Sequence, residues 1–114
     1  MKRKAREVVY VCSPYAGVID KNVSNARKYS RFVLTKRKIP LTPHLLYPQF
    51  MDDTNPNERK VAFSINKVLL GKCEELWVFG RNITAGMRLE INLARGRGLL
   101  LRWFDENLQE VQAQ

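Results

Sequence analysis

The chain has 114 residues, enough for one domain with its own core and too few for a second. Its 45% hydrophobic and 27% charged residues are a globular composition, which excludes disorder as a description of the whole. A net charge of +9 raises the case for a polyanionic or nucleotide-type partner. The two cysteines, Cys12 and Cys73, match no metal-ligand spacing, and no apolar run reaches the length of a signal core or a membrane span. A cytoplasmic domain without metal or cofactor is the expectation.

Residues 1–6 read as a basic flexible tail. Val8-Val9-Tyr10-Val11-Cys12 follows, a continuous apolar and β-branched run of the kind a strand shows when both its faces are buried; Cys12 reads there as a small core residue. Pro14 stops it. Asp20 or Asn22 is suited to cap a helix running to about Thr35, with Val23, Ala26, Val33 and Leu34 on one side. Residues 39–42 predict a short second strand, placed at an edge by Pro40. Residues 43–54 lack a period and predict a long loop, a length that leans functional and suits a lid or a subunit contact.

Asn55-Pro56-Asn57-Glu58 is a strong helix start, with Asn55 as N-cap, Pro56 at the first position and Glu58 closing a capping-box-like pair. Val61, Ile65, Val68 and Leu69 recur at helical spacing up to Gly71. Leu76-Trp77-Val78-Phe79 predicts the third strand, ended by Gly80, and Thr84 suits the cap of a helix to about Gly96. Residues 99–103 predict the fourth strand. Residues 105–114 are polar and read as a tail, or as a short helix used in assembly.

Strands alternating with helices predict a three-layer α/β domain over residues 7–104, an open parallel sheet of about four strands, flavodoxin- or Rossmann-like. Such sheets bind ligands beyond the carboxyl ends of their strands, where the strand order switches. Three segments meet that rule: the turn Ser13-Pro14-Tyr15, the loop after the second strand with the lone histidine His44, and the segment from Gly80 to Gly86 with Asn82 and Thr84. In the last, Gly86 lets a ligand approach the helix start, where free N–H groups favour anions. Glu90 lies one turn on, sharing a helical face with Gly86 and Met87. From spacing alone, a surface acid offsetting nearby arginines describes Glu90 at least as well. From composition alone an ordinary strand-to-helix turn explains Ser13-Pro14-Tyr15 better than a site does, and a lone loop histidine such as His44 is more often a hydrogen-bonded structural residue. Asp52 and Asp53 read as a solvated pair beside a helix, and Tyr47, Phe50 and Trp77 as packing.

At these residues the chain resembles a known group. Val9-Tyr10-Val11-Cys12-Ser13-Pro14-Tyr15, Thr42-Pro43-His44-Leu45, Asn55-Pro56-Asn57-Glu58-Arg59, Cys73-Glu74-Glu75-Leu76-Trp77-Val78-Phe79-Gly80 and Thr84-Ala85-Gly86-Met87-Arg88-Leu89-Glu90-Ile91 look like a small uncharacterised family of bacterial and bacteriophage proteins in the nucleoside 2-deoxyribosyltransferase-like superfamily. The resemblance implies a nucleoside site in which Glu90, the catalytic candidate, attacks the anomeric carbon. Ser13, Pro14, Tyr15, His44, Asn82, Thr84, Gly86 and Met87 would shape the ligand pocket. It also implies a homo-oligomer, since the enzymes' sites are completed by a neighbouring subunit. One position departs: the enzymes carry an aspartate six residues before the glutamate to handle the proton of the departing base, and this chain has Thr84.

Three functions follow. The first is cleavage or transfer of an N-glycosidic bond through a glutamyl ester. The second is a non-catalytic module that senses or sequesters a nucleotide-type ligand, motivated by Thr84. The third, ranked below them, is nucleic-acid binding through the basic surface, which lacks an interleaved aromatic platform. Solvated helix ends and a flexible tail account for the spread of basic residues as well as a nucleic-acid face does.

Overall fold

The computed structural model describes residues 6–114, so the basic tail read at 1–6 lies, but for Arg6, outside the described residues. The elements run β1 (Val8–Cys12), α1 (Ile19–Thr35), β2 (Ile39–Leu41), two short 3-10 turns at Pro43–Leu45 and Tyr47–Gln49, α2 (Pro56–Leu70), β3 (Glu75–Phe79), α3 (Ala85–Gly96), β4 (Leu100–Phe104) and β5 (Glu110–Val111). The sheet order is β2-β1-β3-β4-β5. β1 to β4 are parallel, and β5 adds an antiparallel edge through Trp103↔Val111 and Phe104↔Glu110. This is the flavodoxin-like order, with the switch point between β1 and β3.

Two differences from the sequence reading lie at the ends of elements. The polar stretch after β4 is neither a free tail nor a helix. Asp105 accepts the amides of Asn107 and Gln109, and the turn so held returns the chain as β5. The sheet therefore has five strands. α1 starts at Ile19 with no side-chain cap, because the Asn22 amide instead donates to the carbonyls of Tyr15 and Ala16 and fixes the turn after β1.

β1 and β3 are buried on both faces, so alternate residues feed two cores. Val9, Val11, Trp77, Phe79 and Phe104 face α1, which contributes Tyr29 and Val33. Tyr29 stacks on Phe79 at 4.5 Å between ring centres. On the opposite face Tyr10, Cys12, Leu76, Val78 and Trp103 meet Met87, Ile91 and Ala94 of α3 and Leu70 of α2. The apolar side of α1 is thus Ala26, Tyr29 and Val33, while Leu34 faces water.

α2 departs further from its predicted stripe. Its N-terminus is built as expected, with the Asn55 side chain accepting from the amides of Asn57 and Glu58. Yet only Leu70 is fully buried, and Val61 and Val68 are 51% and 60% exposed. Only the C-terminal end of the helix reaches the core, at Leu70, and its N-terminal half borders the cavity described below. Among the described residues, no helix is long and apolar enough to cross a membrane.

Candidate functional site

The site begins with the strand pleat. Tyr10 and Cys12, two residues apart on β1, point to the α3 face, and α3 lays Glu90 across them. The α3 face is set by its start: the Thr84 hydroxyl accepts the Met87 amide at 3.2 Å, and Met87, Glu90, Ile91 and Ala94 then turn inward. The Tyr10 hydroxyl donates to Glu90 Oε2, and the Cys12 thiol lies 3.4 Å from Oε1.

Glu90 is 6% exposed. Burial raises its carboxyl pKa to about 7, while the hydrogen bonds from Tyr10 and Cys12 pull it back down. Burial and the neighbouring carboxylate push both the phenol of Tyr10 and the thiol of Cys12 well above their ordinary ranges, so both remain proton donors. A carboxyl poised between its two states near neutral pH is suited to a chemical role.

Glu90 forms part of the wall of a cavity of about 420 Å³. The turn after β1 supplies Tyr15, the 43–54 loop supplies His44, Tyr47, Met51, Asp52 and Asp53, α2 supplies Glu58, Arg59 and Phe63, and α3 supplies Thr84, Ala85, Gly86 and Met87. The loop is held against α2 by the Asp52 amide donating to Glu58 Oε1 at 3.2 Å, so Glu58 clamps the loop in place of closing a capping box on Asn55. The Thr54 hydroxyl and amide hold the Asp52 carboxyl below its usual range. The His44 ring lies 5.2 Å from that of Tyr15. Its Nδ1 is enclosed without a hydrogen-bond partner, and burial lowers the imidazole pKa to about 4, leaving the ring neutral at pH 7.

The cavity brings together Tyr15, His44, Thr84, Gly86, Met87 and Glu90 of the residues singled out in the sequence. Ser13, Pro14 and Asn82 stay off its wall. The Ser13 hydroxyl is buried without a partner, Pro14 is half-buried in the turn, and Asn82 is exposed. Asp52 and Asp53 are solvent-exposed, as expected of a solvated pair, and also line the cavity, as does Tyr47. Tyr10 and Cys12 were missed as partners of the carboxyl. The available signal was a tyrosine in a strand buried on both faces, since a buried phenol requires an acceptor. Among the described residues, no group of three or more His, Cys, Asp or Glu side chains is arranged to hold a metal.

Solved structures with the same fold include the 2-deoxyribosyltransferase of Bacillus psychrosaccharolyticus, described as a biocatalyst for nucleoside synthesis. It is similar at a TM-score of 0.71 and 13% identity, over 86% of this chain and 72% of that one. The 2-deoxyribosyltransferase of Leishmania mexicana is similar at a TM-score of 0.56 and 17% identity, over 87% of this chain and 64% of that one. At these identities the likeness is one of fold, the open α/β architecture of the deoxyribosyltransferases. No curated protein matches the chain. Residues 7–104 match a family described as a domain of unknown function (DUF7768), and the chain belongs to that family.

Proposed function

We propose that the cavity takes a nucleoside or nucleotide derivative and that Glu90 opens its N-glycosidic bond, transferring the sugar to water or to a second base. The observation that carries this reading is the carboxyl of Glu90, buried on the cavity wall and held by Tyr10 and Cys12. Oε2 accepts the strong phenolic bond, whereas Oε1 has only a weak thiol contact and keeps lone-pair density for attack on the anomeric carbon. As the ester forms, the bond to the base nitrogen breaks, its electron pair and the negative charge pass from Glu90 to the departing base, and the base then takes up a proton from water. Tyr15, Tyr47 and Phe63 give the ring of a base apolar and aromatic surface.

The test is incubation with a panel of ribo- and deoxyribonucleosides and their monophosphates, with free base measured by chromatography. Base release by the wild type and its loss in Glu90→Gln is the expected result. Release that survives Glu90→Gln would remove the mechanism.

One observation favours a second reading, a binding module without turnover. The Thr84 hydroxyl is engaged as a helix cap, and a hydroxyl is a poor general acid near neutral pH. Saturable thermal stabilisation by a nucleoside with no base released would support that module. For the homo-oligomer implied by the resemblance, we place the contact on α2, where Val61 and Val68 are exposed; light scattering tests it.

A further inference from the structure

The charge of the cavity runs against the charge of the chain. The protein as a whole carries +9, yet the cavity wall has the four carboxyls of Asp52, Asp53, Glu58 and Glu90 and a single basic side chain, Arg59. His44 does not alter the balance, because burial keeps its imidazole neutral above a pKa of about 4. Among the described residues, Arg59 and Asp53 form no ion pair, so neither charge is consumed by the fold. Around the carboxyls the wall is aromatic, with Tyr15, Tyr47 and Phe63. Carboxylates with aromatic faces form a cation site, since a cation gains from the carboxylate charges and from the negative faces of the rings. A phosphate brought to the same wall would meet the carboxylates with Arg59 alone to offset them.

The position at which the resemblance implies the acid for a departing base is filled by a threonine, Thr84. Thr84 is a helix cap, His44 is neutral, and Asp52 is held ionised by Thr54. Glu58 is engaged with the Asp52 amide, Asp53 is assigned above to the cation, and Glu90 is required as the nucleophile. A base attached through a neutral nitrogen needs such a proton to leave. A base that already carries a positive charge on the glycosidic nitrogen does not.

From these two observations we infer that the preferred substrate is an N-glycoside of a cationic heteroaromatic base, such as a pyridinium riboside. The inference rests on the glycosyl-transfer reading above and narrows its substrate class. In the first step a Glu90 carboxylate oxygen forms a bond to the anomeric carbon. The bond from that carbon to the ring nitrogen breaks, and its electron pair returns to the ring, so the base departs neutral and no proton is consumed. Water then attacks the anomeric carbon of the glycosyl ester, which returns Glu90 as carboxylate and leaves the sugar hydroxyl and one proton. Loss of the cation on bond breaking also removes the attraction that held the base, which assists its release.

Nicotinamide riboside and its 1,4-dihydro form test this directly, because they share size and sugar and differ in charge. Calorimetry at neutral pH is expected to show the cationic form binding at least about tenfold more tightly. The preference should shrink in Asp53→Asn and at high salt. Chromatography should show nicotinamide released by the wild type and none by Glu90→Gln. Equal binding of the two forms, or base released from neutral nucleosides and none from the cation, overturns the inference and leaves the glycosyl-transfer reading standing. Cation-selective binding without release overturns it as a statement about substrate. No binding and no release with any nucleoside overturns both.

Discussion

The hydroxyl of Tyr10 on β1 donates to the carboxyl of Glu90 on α3, across 80 residues of sequence and inside the core. That bond joins the middle of the sheet to the cavity wall, so one contact serves packing and chemistry together. Its removal has effects on both. In Tyr10→Phe the ring still fills its place, but Glu90 Oε2 loses its strong donor. Stability should fall by about 1–3 kcal/mol, the cost of an unsatisfied buried acceptor, measured by urea denaturation. The Glu90 carboxyl should also titrate above its present value of about 7, because a bond that lowers it is gone. Carbon NMR of labelled glutamate carboxyls reads that shift directly. A Glu90 that titrates unchanged in Tyr10→Phe would show that the bond does not exist in solution.

The pH dependence of stability follows from two buried groups of opposite sign. Glu90 has a folded pKa raised from 4.5 to about 7. Between those values the folded state holds a proton that the unfolded state has released, so this contribution is full below pH 4.5 and is lost as pH rises to about 7. His44 has a folded pKa lowered from 6.5 to about 4. Its contribution is full above pH 6.5 and is lost as pH falls toward 4, because the unfolded state then takes up a proton first. The two oppose each other from about pH 4.5 to 6.5, which flattens the wild-type profile. Glu90→Gln should therefore show stability rising more steeply with pH across that window than the wild type does, and His44→Phe should show the reverse. Denaturant midpoints at four or five pH values compare them.

How far the site was legible from sequence depends on which structural layer held each residue. The helix starts were legible because capping is local: Asn55 and Thr84 act within their own turns. The position of the site was legible from strand order, since β1 and β3 end side by side at the switch point. The strand alternation also separated Tyr10 and Cys12 from Val9 and Val11. What it did not specify was which α3 residue lies over Tyr10, because that depends on how α3 crosses the sheet. The acidic wall was less legible still. Asp52 and Asp53 look solvated by composition and are exposed in the fold, but composition does not show that the loop docked on Glu58 sets them along the cavity. β5 was missed because a two-residue edge strand has no periodicity to read, and the Asp105 turn that creates it is built from ordinary polar residues.

Gly86 separates stability from ligand binding. A methyl group built there meets nothing nearer than the Thr84 hydroxyl at 4.0 Å, and the residue lies in the first turn of α3 on the cavity wall. Gly86→Ala should leave the fold intact and raise stability by up to about 1 kcal/mol, since alanine loses less backbone freedom in a helix than glycine. The same methyl occupies space where a ligand would approach the helix start. Nucleoside affinity should fall while the melting temperature rises, a pair of changes that calorimetry and thermal denaturation report independently. Unchanged affinity would place the ligand elsewhere in the cavity.

Thr84 is the position at which binding and turnover part. Its hydroxyl caps α3, and an aspartate performs that task at least as well while adding charge where the helix dipole favours it. Thr84→Asp should therefore fold with unchanged or slightly higher stability. Thr84→Ala, which only removes the cap, should lose about 1 kcal/mol. The aspartate also brings to the cavity wall a carboxyl that a bound nucleoside desolvates, which raises its pKa against the lowering by the cap and lets it carry a proton to a departing base; such general acids contribute about a hundredfold or more. Release of base from neutral nucleosides should accordingly rise by at least about tenfold in Thr84→Asp. Release from a cationic riboside should change little, because its base leaves without a proton. A gain confined to neutral substrates thus reads out the missing acid. An equal gain on both kinds would mean that the new carboxylate acts through binding or charge, and that proton supply does not limit the native protein.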